Sequence, residues 1–247
     1  MRLTIITSSI ANITPLFKRE CASYLNSPIA YIFAAVFLVT TNWLFFQSFF
    51  LTDQAVARQW FELLPWVFLL LAPAITMRSW AEEKRSNTME FLLTLPIRDV
   101  EVVLAKFLSS LAFLALVLAL SVTLPATIGW LGDIDLGVVI TGYIGALLLG
   151  SMYLSLGLLV SAFTRNQIVA FLVSLALMFG LFVMGSNQVL SFVSGPLAAA
   201  VQFLSTTSHF NTLARGIIDT RDIIYYLSFT SLFVYLNVQI IGSRNWR

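Results

Sequence analysis

The sequence predicts an all-α integral membrane fold with six transmembrane helices, and three observations predict it. Of the 247 residues, 59% are hydrophobic and only 11% are charged, against roughly 25% charged in an average soluble domain. A soluble fold of this size needs more polar surface to cover its core, whereas a surface facing lipid can stay apolar. Apolar runs long enough to cross a bilayer, about 20 helical residues, recur along the chain. The lysines and arginines then segregate to one side of those runs.

The elements follow in order. Residues 1–17 interleave Thr4, Thr7, Ser8, Ser9, Asn12 and Thr14 with apolar residues, so they do not read as a cleavable signal. Residues 13–25 place Ile13, Leu16, Phe17, Cys21, Tyr24 and Leu25 at roughly helical spacing, with Lys18, Arg19 and Glu20 between them. That pattern predicts an N-terminal amphipathic helix lying in the membrane interface. The first span is expected over 29–51, because Ser27 suits a cap and Pro28 suits the first helical position. The second is expected over 61–77 and is the weakest. Only 15 uncharged residues separate Glu62 from Arg78, about 22 Å of helix against a hydrocarbon core of roughly 30 Å. Trp60, Phe61 and Trp80 can extend it as interfacial anchors, and Pro65 and Pro73 should bend it. The remaining spans are expected over 107–131, 136–163, 168–190 and 223–241. In the fourth, Gly142, Ala146 and Gly150 form a face of small residues that lets helices approach closely. Packing within the subunit is the simpler use, and a subunit interface is the other. Between the fifth and sixth spans, Gly195-Pro196 breaks any continuing helix, and Leu197 to Leu204 is apolar but too short to cross. The segment 191–222 therefore reads as short re-entrant helices, with His209 as an ordinary polar residue at that interface.

With six spans and the N-terminus inside, eleven of the 14 lysines and arginines fall on one side, and Arg58, Arg215 and Arg221 on the other. This is a positive-inside signature and puts both termini in the cytoplasm. No repeat or linker divides the chain, so residues 1–247 read as one membrane domain.

Several functions are excluded. A net charge of +2 gives no basis for nucleic-acid binding. One cysteine and one histidine, Cys21 and His209, provide neither a disulfide nor a metal-ligand cluster; Cys21 reads as an inert small hydrophobe. Lys18, Lys84 and Lys106, the three lysines, all lack the glycine context of a phosphate-binding loop. The chain is therefore expected not to be an enzyme and to hold no cofactor. The spans carry almost no ionisable groups, against the habit of proton-coupled carriers. Their polar residues are mild: Asn42 and Gln47 in the first span, Ser121 and Thr123 in the third, Asn187 and Gln188 late in the fifth. The first four are the candidates for lining a pathway, although such groups commonly serve as bonds between packed helices.

The most informative segment is the loop 78–106, which holds ten of the charged residues with both signs mixed. Such a surface suits a protein partner better than a lipid headgroup. Asn87 with Glu90 three residues on resembles a capping box. A helix should follow through Met89, Phe91, Leu92 and Leu93 and stop before Pro96, and Asp99 should cap the next. The plainer reading of Glu82 to Arg85 is a solvated charged face.

The run from Glu82 to Ile97 with Lys106 beyond it resembles the loop of ABC transporter permeases of the type-2 exporter class. Ser27-Pro28-Ile29-Ala30-Tyr31 and Phe210 to Tyr226, with Arg215-Gly216-Ile217-Ile218-Asp219, extend the resemblance. It is nearest to the small six-span bacterial permeases of gliding-motility and copper-site-maturation systems. The chain departs at Asn87, where glycine is usual; asparagine tolerates the same turn conformations. The resemblance implies a permease forming the pathway as a homo- or heterodimer in a bacterial inner membrane. A separate P-loop ATPase chain would hold ATP and Mg. Residues Glu82, Glu83, Lys84, Arg85, Asn87, Thr88, Glu90, Leu92 and Leu93 would form the coupling loop. The N-terminal helix would be its connecting neighbour, and the outer segment would cap the exit. The alternative is a scaffold or mechanotransmission subunit that moves no solute. A membrane-embedded protease using Glu82-Glu83 is ruled out, because Thr88 stands where that family needs arginine and His209 lies across the bilayer. Nothing in the spans selects a substrate.

Overall fold

The computed structural model describes residues 2–52, 57–89, 97–131, 135–192 and 195–243. Those residues form helices and no strands: α1 (Arg2–Leu25), α2 (Pro28–Thr52), α3 (Ala57–Thr76), α4 (Ala81–Arg85), α5 (Asp99–Leu120), α6 (Thr123–Leu131), α7 (Leu136–Ser161), α8 (Gln167–Val183), α9 (Asn187–Phe192), α10 (Pro196–Leu204), α11 (Thr206–Ala214) and α12 (Thr220–Gly242).

Helix starts follow from short polar side chains. Asp135 Oδ1 accepts from the backbone N–H of Gly137 and Val138, Asn166 from Ile168, and Asp219 from Arg221. Each side chain thus satisfies backbone donors that the first turn leaves unpaired. α2 begins at Pro28 directly after Ser27, as the sequence predicts. At α5 the expectation fails. Asp99 is the first helical residue, and Glu101 reaches back instead, accepting from the Arg98 N–H at 3.3 Å.

The apolar helices of the bundle are α2, α3, α5, α7, α8 and α12. Five segments are long and apolar enough to cross a membrane, and α8 is shorter, at 17 residues. Three span expectations are corrected here. The second span is not the weak one: α3 alone provides 20 helical residues and much of it is buried inside the protein. Its helix starts before Glu62, and an exposed Arg58–Glu62 pair at 2.8 Å satisfies both charges one turn apart. The fifth span becomes the short one. The expected continuous run 168–190 ends at Val183, and α9 is a separate helix. The third span is also interrupted, at Ser121-Val122 between α5 and α6. There the buried Ser121 hydroxyl bonds to the Leu118 carbonyl at 2.7 Å and meets the Tyr143 hydroxyl at 3.0 Å. The amphipathic helix expected over 13–25 belongs to a longer α1 that packs along α5.

α7 is the central helix, with nearly every residue from Gly145 to Ala162 buried. Its small residues explain why. A Cβ at Gly142 would meet the Phe61 ring at 2.6 Å, and one at Gly150 would collide with Leu114. The small-residue face therefore packs against α3 and α5 within the chain. Trp60, Phe61, Leu64 and Phe68 of α3 complete this core. A second cluster at the other end of α3 joins Leu16, Trp80, Val103, Leu158 and Ile241, which brings α1 and the last turn of α12 together.

Candidate functional site

The site assembles where α3 ends. After Thr76 the chain makes a turn through Met77 to Trp80 and enters the five-residue α4. A free loop would leave this turn to water. Instead, the Ser161 hydroxyl at the end of α7 accepts from the N–H groups of Trp80 and Ala81 at 3.1 and 3.2 Å, and donates to the Met77 carbonyl. One side chain thus pairs three backbone groups that the start of α4 and the end of α3 leave open.

The charges of α4 are largely turned inward. Lys106 of α5 is 2% exposed. Its Nζ lies 2.7 Å from Glu83 Oε1 and 3.3 Å from Glu20 Oε1 of α1, and 5.0 Å from the centre of the Trp80 ring. A buried ammonium needs such company, because burial without a partner costs several kcal/mol. Lys84 is also buried and donates to the Ala162 carbonyl. Glu82 accepts from the Gln167 amide of α8, and Arg78 lies 3.9 Å from Glu82 and donates to the Ser27 hydroxyl at 2.9 Å. Tyr24 stacks on Phe113 and donates to the Ile75 carbonyl at 3.3 Å. Burial pushes its phenol up to about 12, so it stays a donor across the ordinary range of pH. The α3–α4 corner is therefore tied to α1, α2, α5, α7 and α8.

Among the expected coupling residues, Glu83 and Lys84 point into this network and Glu82 is half-buried, so the solvated-face reading does not hold for the run as a whole. Arg85, Asn87 and Thr88 are exposed. Asn87 has φ +56°, the left-handed conformation. It follows the C-cap Ser86 of α4, which is the position where helices commonly end on glycine or asparagine. That accounts for asparagine replacing glycine here, and it differs from a simple N-cap, whose backbone is extended. Glu90, Leu92 and Leu93, and the helix expected between Asn87 and Pro96, lie outside the described residues.

The four candidate pathway residues are not brought together. Asn42 donates to the Leu38 carbonyl of its own helix, Gln47 is exposed, Ser121 pairs with Tyr143, and exposed Thr123 bonds back to Leu120.

At the opposite end, α9, α10 and α11 form short helices between α8 and α12. His209 departs from expectation, since its side chain is only 11% exposed. Its Nδ1 lies 2.6 Å from Asp222 Oδ1, its Nε2 lies 2.9 Å from the Phe203 carbonyl, and its ring stacks on Tyr225. The hydroxyls of Tyr225 and Tyr226 donate to the carbonyls of Leu204 and Thr206. The Arg215-Gly216 motif also gains a physical meaning. Gly216, at φ +88°, donates to Leu213, and Ile217 donates to Thr212. This is a Schellman stop to α11, followed at once by the Asp219 cap of α12. Its glycine signal was readable in the sequence; the His209–Asp222 pairing, 13 residues apart, carried no comparable local signal.

A family model described as ABC-2 family transporter protein matches residues 16–244. No curated protein matches the chain. The match runs from the C-terminal half of α1 to the end of α12 and includes every element of the network around Lys106. With its apolar helices of bilayer-crossing length, the chain belongs to the ABC-2 transporter family of multi-pass membrane proteins.

Proposed function

We propose that the chain is the permease subunit of an ATP-driven exporter, working as a dimer beside a separate ATPase chain. The observation that carries this is the α3–α4 corner. A short helix at the end of the bundle is held by side chains of α5, α7 and α8, and through Lys106 it is joined to Glu20 of α1, so a push on α4 reaches these four helices together. That is the mechanical property a coupling element needs. Inward Glu83 and Lys84 transmit the displacement, while outward Arg85, Asn87 and Thr88 face the partner. Glu90, Leu92 and Leu93, next along the loop, belong to the same proposed docking surface by sequence position. The chain itself catalyses nothing; ATP and Mg belong to the partner. The charge asymmetry supports placing the α4 end, with both termini, on the cytoplasmic side of a bacterial inner membrane.

The test is reconstitution with the ATPase encoded beside this chain. Arg85→Glu and Thr88→Ala should leave the purified permease folded and dimeric yet lower its stimulation of ATP hydrolysis several-fold. Unchanged stimulation in both, together with Leu92→Ala/Leu93→Ala, would remove the docking role. Stimulated hydrolysis without movement of any solute would identify a force-transmitting subunit instead.

A further inference from the structure

Beside the Lys106 network lies an open cavity of about 210 Å³, lined by α1, the start of α2, the end of α3, α4 and α5. At ~30 Å³ per molecule it has room for about seven waters, the scale of a small polar headgroup. Its lining is mixed: Ile29, Phe33, Ile75 and Phe113 are apolar, and Arg19, Arg78 and Lys106 stand with Glu20, Glu82 and Glu83.

The charges are not equally engaged. Lys106 is consumed by Glu20 and Glu83. Arg19 is exposed and makes no hydrogen bond or ion pair among the described residues. Arg78 holds a serine hydroxyl, with Glu82 3.9 Å away. The Glu82 side chain is 47% exposed. Arg19 is therefore uncommitted, and Arg78 and Glu82, although bonded to Ser27 and Gln167, stay part-exposed with further donor and acceptor positions that a ligand can meet. Guanidinium forks suit phosphate oxygens. A purely anionic headgroup would have to sit against three carboxylates. One that also carries an ammonium satisfies both signs.

The apolar lining residues indicate what lies behind the headgroup. Ile29 continues along α2 through Ile32, Val36 and Val39, all exposed and spaced three or four residues apart. The stripe leads from the cavity along a helix long enough to cross the bilayer.

We infer that this cavity binds the headgroup of a zwitterionic aminophospholipid, phosphate toward Arg19 and Arg78 and ammonium toward Glu82, with an acyl chain lying on α2. The lipid fills the wedge between the N-terminal helix and the α3–α4 corner. The inference rests on the membrane placement of the chain and not on ATPase coupling.

The test uses the purified full chain, stripped of lipid and incubated with phosphatidylethanolamine, phosphatidylglycerol or glycerophosphoethanolamine, the headgroup without acyl chains. Native mass spectrometry reads what is retained. The wild type should retain phosphatidylethanolamine about fivefold better than phosphatidylglycerol and should not retain the acyl-free headgroup. Arg19→Gln, which disturbs no internal contact, should weaken retention of both lipids. Glu82→Gln should shift preference toward phosphatidylglycerol, a change that mere loosening of the fold would not produce. Equal retention of the two lipids by the wild type overturns the inference. So does unchanged preference in Glu82→Gln, or binding of the acyl-free headgroup as strong as that of the lipid. The assay contains no nucleotide and no ATPase, so its failure leaves the coupling proposal untouched.

Discussion

The two ends of the helical bundle hold their non-spanning segments by different chemistry. At the α4 end, a buried lysine, two glutamates and a serine bind one short helix to elements far apart in sequence. At the α11 end, neutral hydroxyls and backbone carbonyls do most of the joining, with one contact between the His209 ring and Asp222. Buried charges fix geometry strongly, because any displacement leaves an unpaired ion in a poor solvent. Hydroxyl-to-carbonyl bonds are individually worth only about 1 kcal/mol and can be exchanged for water at the membrane surface. The α4 end is therefore built to move as a unit, and the α11 end is built to part at smaller cost.

The sharpest way to break this comparison is Lys106→Ala. It strands Glu20 and Glu83 and should cost about 3–5 kcal/mol, read as a lowered unfolding temperature in detergent; a loss no greater than that of the outer variants would erase the contrast. Ser161→Ala comes next. It leaves the buried N–H groups of Trp80 and Ala81 without their acceptor, and about 2 kcal/mol should be lost. His209→Ala tests the other end. It removes two bonds and a stacked ring, also frees Asp222, and should cost about 1–2 kcal/mol. Hydrogen exchange should then show faster opening in α10 and α11 while α4 stays protected. The smallest effect is expected at Asn87. Glycine accepts a positive φ freely, so Asn87→Gly should change stability by only a few tenths of a kcal/mol, whereas Asn87→Val should lose about 1–2 kcal/mol.

Much of the scaffold was legible beforehand. Ser27-Pro28 marked the start of α2, Gly195-Pro196 the start of α10, and the six apolar runs correspond to five helices of spanning length and the shorter α8. The errors share a cause. The second span looked short because Glu62 and Arg78 were taken as its limits. The helix runs past the first of them, because Arg58 pairs with Glu62 a turn away. The third and fifth spans looked continuous because a break inside an apolar run alters backbone geometry without altering hydropathy. Ser121 and Met184-Gly185 carry no strong stop signal.

The charged loop shows the deeper limit. Its composition announced a structured, interacting segment. It could not say that Glu83 and Lys84 face inward while Arg85 faces out, since their partners are Lys106, Glu20 and the Ala162 carbonyl, supplied by other helices.

The sequence alone determined that this chain lives in a membrane, where its apolar helices lie, and which family its loop resembles. Tertiary structure alone decided that α7 is the centre, that its glycine face packs internally against Phe61 and Leu114, and which charges are buried. The physical reason is the solvent. In water, helical periodicity separates the core face from the wet face. In lipid both faces are apolar, so hydropathy locates the helices and only packing contacts tell which side of each one meets protein.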